Sequence, residues 1–543
     1  MRHERDVGSE SDRATGACLL ARRIASREPD GFRNTPEKGT RLHDDVEAGA
    51  GSRKHGGFAS FLAVEDGVVY KPGLESNPRW YQRLLDAGVE DNGVKPVPVE
   101  SRTDTRYHNL FTVFSTALLC VLPIPTGMLG TTAFGMSLRD ASLTILFFSL
   151  LCSIPPAYMG CGGYKTGMRQ LVQARYSWGL YIVTLPLLLN AATVTGFTLI
   201  SAIVGGQTIA AINPGHVSVD VGIIITILIG FGVSFLGFRA LHAWERWSWI
   251  PNLIALVITV GCGGKFLFNQ AETEPVTAPQ VVSYAGLIAG YFITFGGTAS
   301  DYSVYYNPNA SRVKIFSYIY MGLLTPSVPL LVLGAAMGGA VPVVPGWADA
   351  YSSYGAGGVL AAMLEPAHGF GKFVLVLLAL SVLGQLAISM YSIALNLQML
   401  VPIFTKVPRY AFIIVVSVVM IPIGIKVAEQ WETSLENFLA LIGYWAGCFD
   451  AVLLEEFLVF RRRDYATYDH AIWNVGSKLP SGAAALAASL LSMGLVIPGM
   501  AEAWYTGPIA EKTGDIGFEM AFFVTGIFYL PFRWLEIRWR GHL

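Results

Sequence analysis

The sequence predicts an all-α polytopic membrane protein with about twelve transmembrane helices. The chain has 543 residues, of which 52% are hydrophobic and only 14% are charged, whereas soluble globular proteins carry roughly 25% charged residues. Its mean hydropathy is +0.47. After Arg106, uncharged segments of about 20 residues recur along the chain, and a helix of that length crosses a bilayer with every backbone group bonded internally. We therefore predict a tail over residues 1–105 and a twelve-helix transporter domain over residues 106–543.

The N-terminal 105 residues differ in composition from the rest of the chain. They are polar, rich in Gly, Arg, Asp and Glu, and show little periodicity, which predicts a mostly disordered cytoplasmic tail. Within the tail, "NPRWYQRLLDAGVE" predicts a short amphipathic helix near the membrane surface. No secretory signal pattern is visible, so we do not expect export as a soluble protein. The net charge of −1 offers no basic face for nucleic acid.

Twelve apolar segments are long enough to span a bilayer. We predict them at about 109–136, 141–163, 178–209, 218–237, 247–268, 281–303, 315–340, 371–400, 410–427, 436–459, 480–501 and 517–534.

The basic residues between these spans predict the orientation, because cytoplasmic loops carry an excess of Lys and Arg. With both termini cytoplasmic, the inner loops and the C-terminal tail hold Lys165, Arg169, Arg175, Arg239, Arg246, Arg312, Lys314, Lys406, Arg409, Arg461, Arg462, Arg463, Lys478, Arg538 and Arg540. The outer loops hold only Arg139, Lys372 and Lys512. The sequon "NAS" at Asn309 falls in a loop that this topology places inside, so glycosylation there would contradict the topology.

The first and sixth spans contain the most helix breakers. The first reads "LPIPTGMLG", with Pro123, Pro125, Gly127 and Gly130, and the sixth reads "AGYFITFGGTASDY". Proline removes an intrahelical hydrogen bond, and paired glycines lower the cost of unwinding. Broken helices five spans apart predict an inverted five-plus-five repeat with a binding site at the midplane of the membrane. Ordinary kinks, or close helix packing through small residues, are the alternative explanation.

A polar stripe runs along the eighth span. Ser381, Gln385, Ser389, Ser392 and Asn396 are spaced by 4, 4, 3 and 4 residues, so they share one helix face. Lipid cannot satisfy these groups, which indicates either a lined cavity or hydrogen bonds between helices. Gln385 favours the cavity most, because its amide has four hydrogen-bonding positions to satisfy.

A second stripe marks the third span. It contains Asn190, Phe197, Ser201, Gly205 and Thr208, within a segment that carries no charge. Two such stripes favour a lined cavity, because polar groups in a bilayer are costly unless they pair with protein or line water.

Two acidic residues are candidates for carrying a coupling ion. Asp301 follows the broken sixth span, where it either takes a proton or pairs with Arg312 or Lys314 at the cytoplasmic end. Asp450 lies deeper, in "YWAGCFDAVLLEEF", and is the better intramembrane candidate.

The remaining motifs exclude other classes of protein. No HExxH, GxSxG or GxxxxGK[ST] motif is present, so we expect no enzyme and no metal or other cofactor. Five of the six cysteines lie in or beside apolar runs without CxxC pairs, which favours packing residues over disulfides.

Several stretches together resemble a known family. "GVEDNGVKPVPVESRTDTRYHNLFT", "GYKTGMRQLVQARYSWG", "ASDYSVYYNPNASRVKIF", "EEFLVFRRRDYATYDHAIWN" and "SKLPSGAAA" resemble the fungal purine-cytosine permease branch of the nucleobase cation symporter family, in family order over about residues 74–540. The resemblance implies a LeuT-like fold and uptake of a nucleobase or similar heterocycle, coupled to protons rather than sodium.

The resemblance is weakest where the family chooses its substrate. Where purine-cytosine permeases resemble "GWSSVN" in the third span, this chain has "GFTLIS", with Phe197 and Ser201. Where their eighth span resembles "NNIPNMYS", this chain has "QLAISMYS", with Gln385 and Ser389. Phe197 still offers a stacking face, and Gln385 still offers a donor and an acceptor. The candidate substrate-binding residues are Thr126, Phe197, Ser201, Phe292, Phe295, Gln385 and Ser389.

The sequence therefore predicts a plasma-membrane proton symporter for a small flat nitrogen heterocycle, with a purine or cytosine as its substrate. Vitamin B6 permeases belong to the same branch, so a pyridoxine-type substrate is the alternative. A non-transporting nutrient receptor on the same scaffold is a further alternative, because the substrate-reading residues of the family are replaced.

Overall fold

The structure, a computed structural model, describes residues 95–235, 237–400 and 409–543. The first 94 residues, with the predicted amphipathic helix, lie outside this described part. Residues 95–105 are ordered against the end of the second span. The amide of Val97 donates to the carbonyl oxygen of Gly167 at 2.8 Å, and the buried guanidinium of Arg102 donates to the carbonyl oxygen of Lys165 at 2.9 Å.

The spans of the first half are helices with short interruptions. In order, the first span consists of His108–Leu118 and Pro123–Thr132, the second of Leu138–Cys152, Ile154–Met159 and Cys161–Thr166, the third of Thr184–Ile212, the fourth of Val219–Phe235 and the fifth of Gly237–Gly263. Shorter helical pieces are Val99–Ser101, Gln170–Trp178 and Gly264–Phe268.

The second half continues in the same manner. The sixth span is Ala278–Ile293, followed by the 3-10 turns Thr294–Gly297 and Ala299–Tyr302. The seventh span is Arg312–Ala340, the eighth is His368–Leu380 with Val382–Leu400, and the ninth is Arg409–Ala428. The tenth span is Trp431–Glu455 with a π-helical turn at Glu456–Phe460, the eleventh is Ala483–Gly499, and the twelfth is Gly517–Arg540. The remaining elements are Trp347–Leu364, Glu365–Ala367, Tyr465–Thr467, Ala510–Thr513 and the antiparallel strands Ala501–Glu502 and Tyr505–Thr506.

Local sequence explains where several of these helices begin. Ser137 precedes the second span, and its hydroxyl accepts a hydrogen bond from the amide of Asp140. Thr277 and Gln280 form a reciprocal capping box at the start of the sixth span, with a proline in the first turn. These side chains satisfy amides that have no partner within the helix.

The helices match the predicted membrane spans. Among the described residues, nine helical segments are long and apolar enough to cross a membrane, and the two pieces of the first span together make a tenth. Two shorter apolar helices, Val219–Ser234 and Ala483–Gly499, correspond to the predicted fourth and eleventh spans. Each of the twelve predicted spans therefore coincides with a helix, whereas the helix Trp347–Leu364 between the seventh and eighth spans was not predicted.

Both predicted breaks are present. The two helices of the first span meet at 55°, and the interruption over residues 119–122 comes directly before Pro123. The sixth span ends as an α-helix at Ile293 and continues in 3-10 turns through Gly296 and Gly297.

Other glycines of these two spans pack helices instead of breaking them. A Cβ at Gly127 would overlap the carbonyl oxygen of Leu331 in the seventh span, and one at Gly130 would lie 2.8 Å from the ring of Tyr284. Gly290 packs in the same way against Leu439 of the tenth span. Close helix packing through small residues, the alternative explanation, therefore holds for these three glycines.

Candidate functional site

A cavity opens where the two broken spans meet the third and eighth spans. The space between its walls, together with its open mouth, is about 770 Å³. Its wall consists of Val113, Phe114, Ala117, Leu118, Leu122, Asn190, Thr193, Val194, Phe197, Tyr291, Thr294, Phe295, Thr298, Tyr302, Gln385, Ile388, Ser389 and Ser392. None of these residues carries a formal charge at neutral pH, so the cavity suits a neutral ligand.

Aromatic rings form much of the wall. Phe197 meets Tyr291 edge-on at a centroid distance of 6.1 Å and Phe438 at 5.2 Å. Phe114 meets Phe295 edge-on at 6.2 Å and Tyr302 at 5.0 Å. Because the rings are held by one another, they offer flat apolar faces at little entropic cost, as a planar ligand requires.

Amide and hydroxyl groups complete the wall. The side-chain amide of Gln385 donates to the hydroxyl of Ser389 at 3.3 Å. Asn190 is 1% exposed, and its Nδ2 has no hydrogen-bond partner among the described residues. Thr193 accepts a hydrogen bond from the indole of Trp445 at 2.9 Å. An unsatisfied buried amide is costly unless a ligand or water meets it, so Asn190 is a candidate for binding a ligand in the cavity.

Four of the predicted substrate-binding residues line this cavity, namely Phe197, Phe295, Gln385 and Ser389. The other three do not.

The three residues outside the cavity wall have other neighbours. Thr126 is buried in the second helix of the first span. The hydroxyl of Ser201 donates at 2.8 Å to the carbonyl oxygen of Phe197, one turn earlier in its own helix. Phe292 is fully buried and packs against Tyr291 at 5.1 Å. A rotation of 100° per residue separates Phe292 from its neighbour Tyr291, which does face the cavity.

The stripe of the eighth span divides into two roles. Gln385, Ser389 and Ser392 lie on the cavity wall. Ser381 lies beyond it, where its hydroxyl accepts at 3.2 Å from the amide of Val121 in the break of the first span. The eighth span thus both lines the cavity and satisfies a backbone group that the break leaves open.

Asp301 lies at the end of the sixth span, away from the cavity. Its carboxylate accepts at 2.7 Å from the amide of Gln170 and lies 3.6 Å from the guanidinium of Arg169. The cation expected from the sequence was Arg312 or Lys314. The guanidinium of Arg312 instead lies 4.6 Å from the ring centre of Tyr158.

Asp450 lies within the tenth span, behind the break of the sixth. Its side chain is fully buried, and in the described part of the chain neither carboxyl oxygen has a hydrogen-bond partner. A Cβ at Gly296 would overlap both oxygens. The absence of a side chain at Gly296 therefore makes room for the carboxyl group.

Sequence reasoning missed several wall residues. Tyr291 and Thr294 were not named, although they flank the predicted Phe292 and Phe295. Asn190 was placed in the third-span stripe but was not selected. A helical projection of the sixth span could have identified which of its residues face the cavity. The projection is wrong from residue 294 onward, because the α-helix changes to a 3-10 turn there.

Two buried carboxyl groups, Glu502 and Asp515, lie outside the spans at the two antiparallel strands Ala501–Glu502 and Tyr505–Thr506. Asp515 accepts from the amides of Ala501 at 3.1 Å and Gly517 at 2.8 Å, and from the hydroxyl of Tyr444. Burial raises the pKa of Asp515. Burial, with the neighbouring Asp515, raises the pKa of Glu502 to about 8. Within the described residues, no group of three or more His, Cys, Asp or Glu side chains forms a candidate metal site.

Three comparisons with known proteins bear on this geometry. Residues 96–521 match the family model described as permease for cytosine/purines, uracil, thiamine, allantoin. A purine-cytosine permease of Emericella nidulans is 34% identical over 470 residues, which is 85% of this chain and 91% of that protein. A vitamin B6 transporter of Saccharomyces cerevisiae is 27% identical, over 84% of this chain and 90% of that one. The inward-facing structure of Mhp1 superimposes with a TM-score of 0.63 at 15% identity, covering 83% of this chain and 95% of that one, and this likeness confirms the predicted LeuT-like fold.

Proposed function

The chain belongs to the family of permeases for cytosine/purines, uracil, thiamine and allantoin, and on that basis we propose that it takes up a purine nucleobase or cytosine by proton-coupled alternating access. The observation that carries the proposal is an uncharged cavity, walled by aromatic rings and amides, at the junction of two broken spans. Broken helices at a midplane site are what alternating access uses.

The cavity wall suits a flat heterocycle. Phe197 and Tyr291 offer ring faces, and Gln385 and Asn190 offer both donors and acceptors to the edge of such a ring. Stacking selects for planarity, and the amides select for the arrangement of ring nitrogens and carbonyls. Discrimination between heterocycles therefore depends on the amides more than on the rings.

A pyridoxine-type substrate is the second candidate. The observation in its favour is the replacement of the family's substrate-reading residues by Phe197, Ser201, Gln385 and Ser389, together with the similarity to a vitamin B6 transporter. Phe197 lacks the indole donor of a tryptophan, and the hydroxyl of Ser389 on the cavity wall suits a hydroxymethyl group of a pyridoxine.

The orientation that we propose, in the plasma membrane with both termini cytoplasmic, has support in the contacts between loops. The ammonium of Lys165 donates to the carbonyl oxygen of Pro308 at 2.8 Å, and Arg461 donates to the carbonyl oxygen of Tyr176 at 3.2 Å. The basic loops after the second, sixth and tenth spans thus lie together at one end. A fluorescent tag after Leu543 should remain protected from protease in intact cells, and digestion there would contradict the orientation.

A radiolabelled uptake screen tests the substrate and the coupling. The panel is adenine, hypoxanthine, cytosine, uracil, allantoin and pyridoxine, supplied to permease-deficient cells that express the chain at their surface. We expect saturable uptake of a purine or cytosine that collapses with a protonophore. Uptake of pyridoxine alone would favour the second candidate, and a requirement for sodium would contradict proton coupling. Surface protein without uptake of any probe would favour the non-transporting receptor.

A further inference from the structure

Asp450 and Glu456 are two buried carboxyl groups on the tenth span with opposite surroundings. Glu456 lies 2.9 Å from the guanidinium nitrogens of both Arg461 and Arg533 and accepts at 2.9 Å from the hydroxyl of Tyr529. Asp450 is equally buried, but its oxygens accept no hydrogen bond from any described residue. A buried carboxylate without a cation or donor costs several kcal/mol. An ionised Asp450 would therefore carry an unpaired buried charge in this conformation, whereas the Glu456 carboxylate is paired with two guanidinium groups.

The described side chains of the elements packed against the tenth span donate no hydrogen bond to Asp450. The titratable and charged residues of these elements are Tyr158 of the second span, Arg175 and Tyr176 of the following helix, Tyr284 and Tyr291 of the sixth span, Arg409, Tyr410 and Lys426 of the ninth span, and Glu519, Tyr529, Arg533, Glu536, Arg538 and Arg540 of the twelfth span. The tenth span and its end contain Glu432, Glu436, Tyr444, Cys448, Glu455, Glu456 and Arg461.

Three of these arginines are engaged with other groups. Arg461 and Arg533 pair with Glu456, and Arg175 donates at 3.0 Å to the side chain of Asn474. The third span contributes no ionisable side chain. Nothing described around Asp450 therefore stabilises its charged form while the tenth span lies against the sixth.

A thin wall separates Asp450 from the cavity. The carboxyl group packs on Gly296, and a Cβ at the adjacent Gly297 would lie 2.5 Å from Oδ1 of Asn190. Asn190 lines the cavity, as does Thr294 at the start of the same 3-10 turn. One turn of backbone with two glycines thus has the carboxyl group on one side and a ligand-facing amide on the other.

We propose that Asp450 is the proton-binding site of the transport cycle, with the Gly296–Gly297 turn as the element that transmits its state to the cavity. This proposal rests on the proposed function. A hydronium ion gives its proton to the Asp450 carboxylate when the tenth span stands open to the outer solution, leaving water. The neutral acid can then pack on Gly296. When the turn moves toward the cytoplasmic side, the proton returns to water and the anion is hydrated.

The cost of burying the anion makes the coupling obligatory. Without the proton, the tenth span cannot close on the turn unless an unpaired charge is buried. A ligand bonded to Asn190 holds the opposite face of the same turn, so the cavity and the proton site act on one element. With one proton per neutral substrate and no membrane potential, a gradient of one pH unit supports about tenfold accumulation.

Asp450→Asn tests the proposal because asparagine imitates the neutral acid and cannot release a proton. In cells with an imposed gradient of one pH unit, and with whichever panel heterocycle the wild-type chain carries, we expect the variant to lose the roughly tenfold accumulation. Exchange of labelled for unlabelled substrate should persist. Asp349→Asn, which changes an exposed carboxyl group on the helix Trp347–Leu364, is the matched control and should accumulate as wild type.

Every other outcome overturns the assignment. If Asp450→Asn still accumulates substrate and a protonophore abolishes that accumulation, the coupling proton binds at another residue. If the variant is folded and at the surface but no longer exchanges labelled for unlabelled substrate, Asp450 has a structural role. If the variant does not reach the surface, Asp450→Glu decides by a shift in the pH of half-maximal uptake, and an unchanged pH profile rejects the proposal. Failure of the wild-type chain to carry any probe would instead refute the proposed function, so the two failures are distinguishable.

Discussion

The substitution Gln385→Ala tests substrate recognition most directly. Gln385 is half-buried on the cavity wall, and the hydrogen bond to Ser389, at 3.3 Å, is long. Most of the bonding capacity of its amide is therefore available to a ligand. Removing the amide leaves one or two polar groups of the ligand unpaired in an apolar slot, which costs roughly 1–3 kcal/mol. That cost corresponds to a rise in KM of about 5- to 150-fold.

Initial rates of radiolabelled uptake measure this effect for each heterocycle. Because the amide binds the ligand before translocation, we expect KM to rise with little change in maximal rate. Gln430→Ala, an exposed glutamine between the ninth and tenth spans, controls for the loss of an amide, and a fluorescent fusion normalises for surface protein. Unchanged KM values and an unchanged order of substrates would refute the role of Gln385 and return it to a structural hydrogen bond.

Three further substitutions test the scaffold. Glu456→Gln leaves the buried guanidinium groups of Arg461 and Arg533 with an uncharged partner, and we expect a loss of about 3–5 kcal/mol, seen as a lower unfolding temperature in detergent. Gly127→Ala forces the first and seventh spans apart and should cost about 1–3 kcal/mol by the same measurement. The pKa of Glu502 is about 8 in the folded protein and 4.5 in the unfolded chain. The protonated Glu502 therefore stabilises the folded protein fully at acid pH, and this contribution is lost as the pH rises through 8. Glu502→Gln should reduce the fall of the unfolding temperature with rising pH.

Each of these has its own control and contrary result. For Glu456→Gln the control is Glu429→Gln, which removes an exposed pair with Lys426 and should change stability little; equal effects would show that the buried cluster contributes nothing special. For the glycine substitution, the exposed Gly369→Ala meets no neighbour, and an equal loss there would reject the packing argument. A wild-type unfolding temperature that does not fall between pH 5 and 9 would contradict the assignment at Glu502.

The sequence by itself determined the spans and their breaks. A helix in lipid must bond every backbone group internally, so apolar length alone marks the spans, and Pro123 and the pair Gly296–Gly297 mark where two of them stop being helical. The periodicity of the eighth span also predicted a face with Gln385 and Ser389 on it. These features are local, because each depends on residues within a few turns of one another.

Only the tertiary structure decided which polar groups meet. The partner of Asp301, the role of Ser381 at the first-span break, and the position of Thr126, Ser201 and Phe292 outside the cavity all depend on contacts between distant helices. The α-helical periodicity no longer applies where the sixth span changes to 3-10 turns, so the position of Thr294 on the cavity wall could not be predicted from the sequence. The isolation of Asp450 also depends on tertiary contacts. Arg533 of the twelfth span and Arg461 at the end of the tenth span pair with Glu456, about two turns along the helix from Asp450. The missing side chain of Gly296 leaves space for the carboxyl group without giving it a partner.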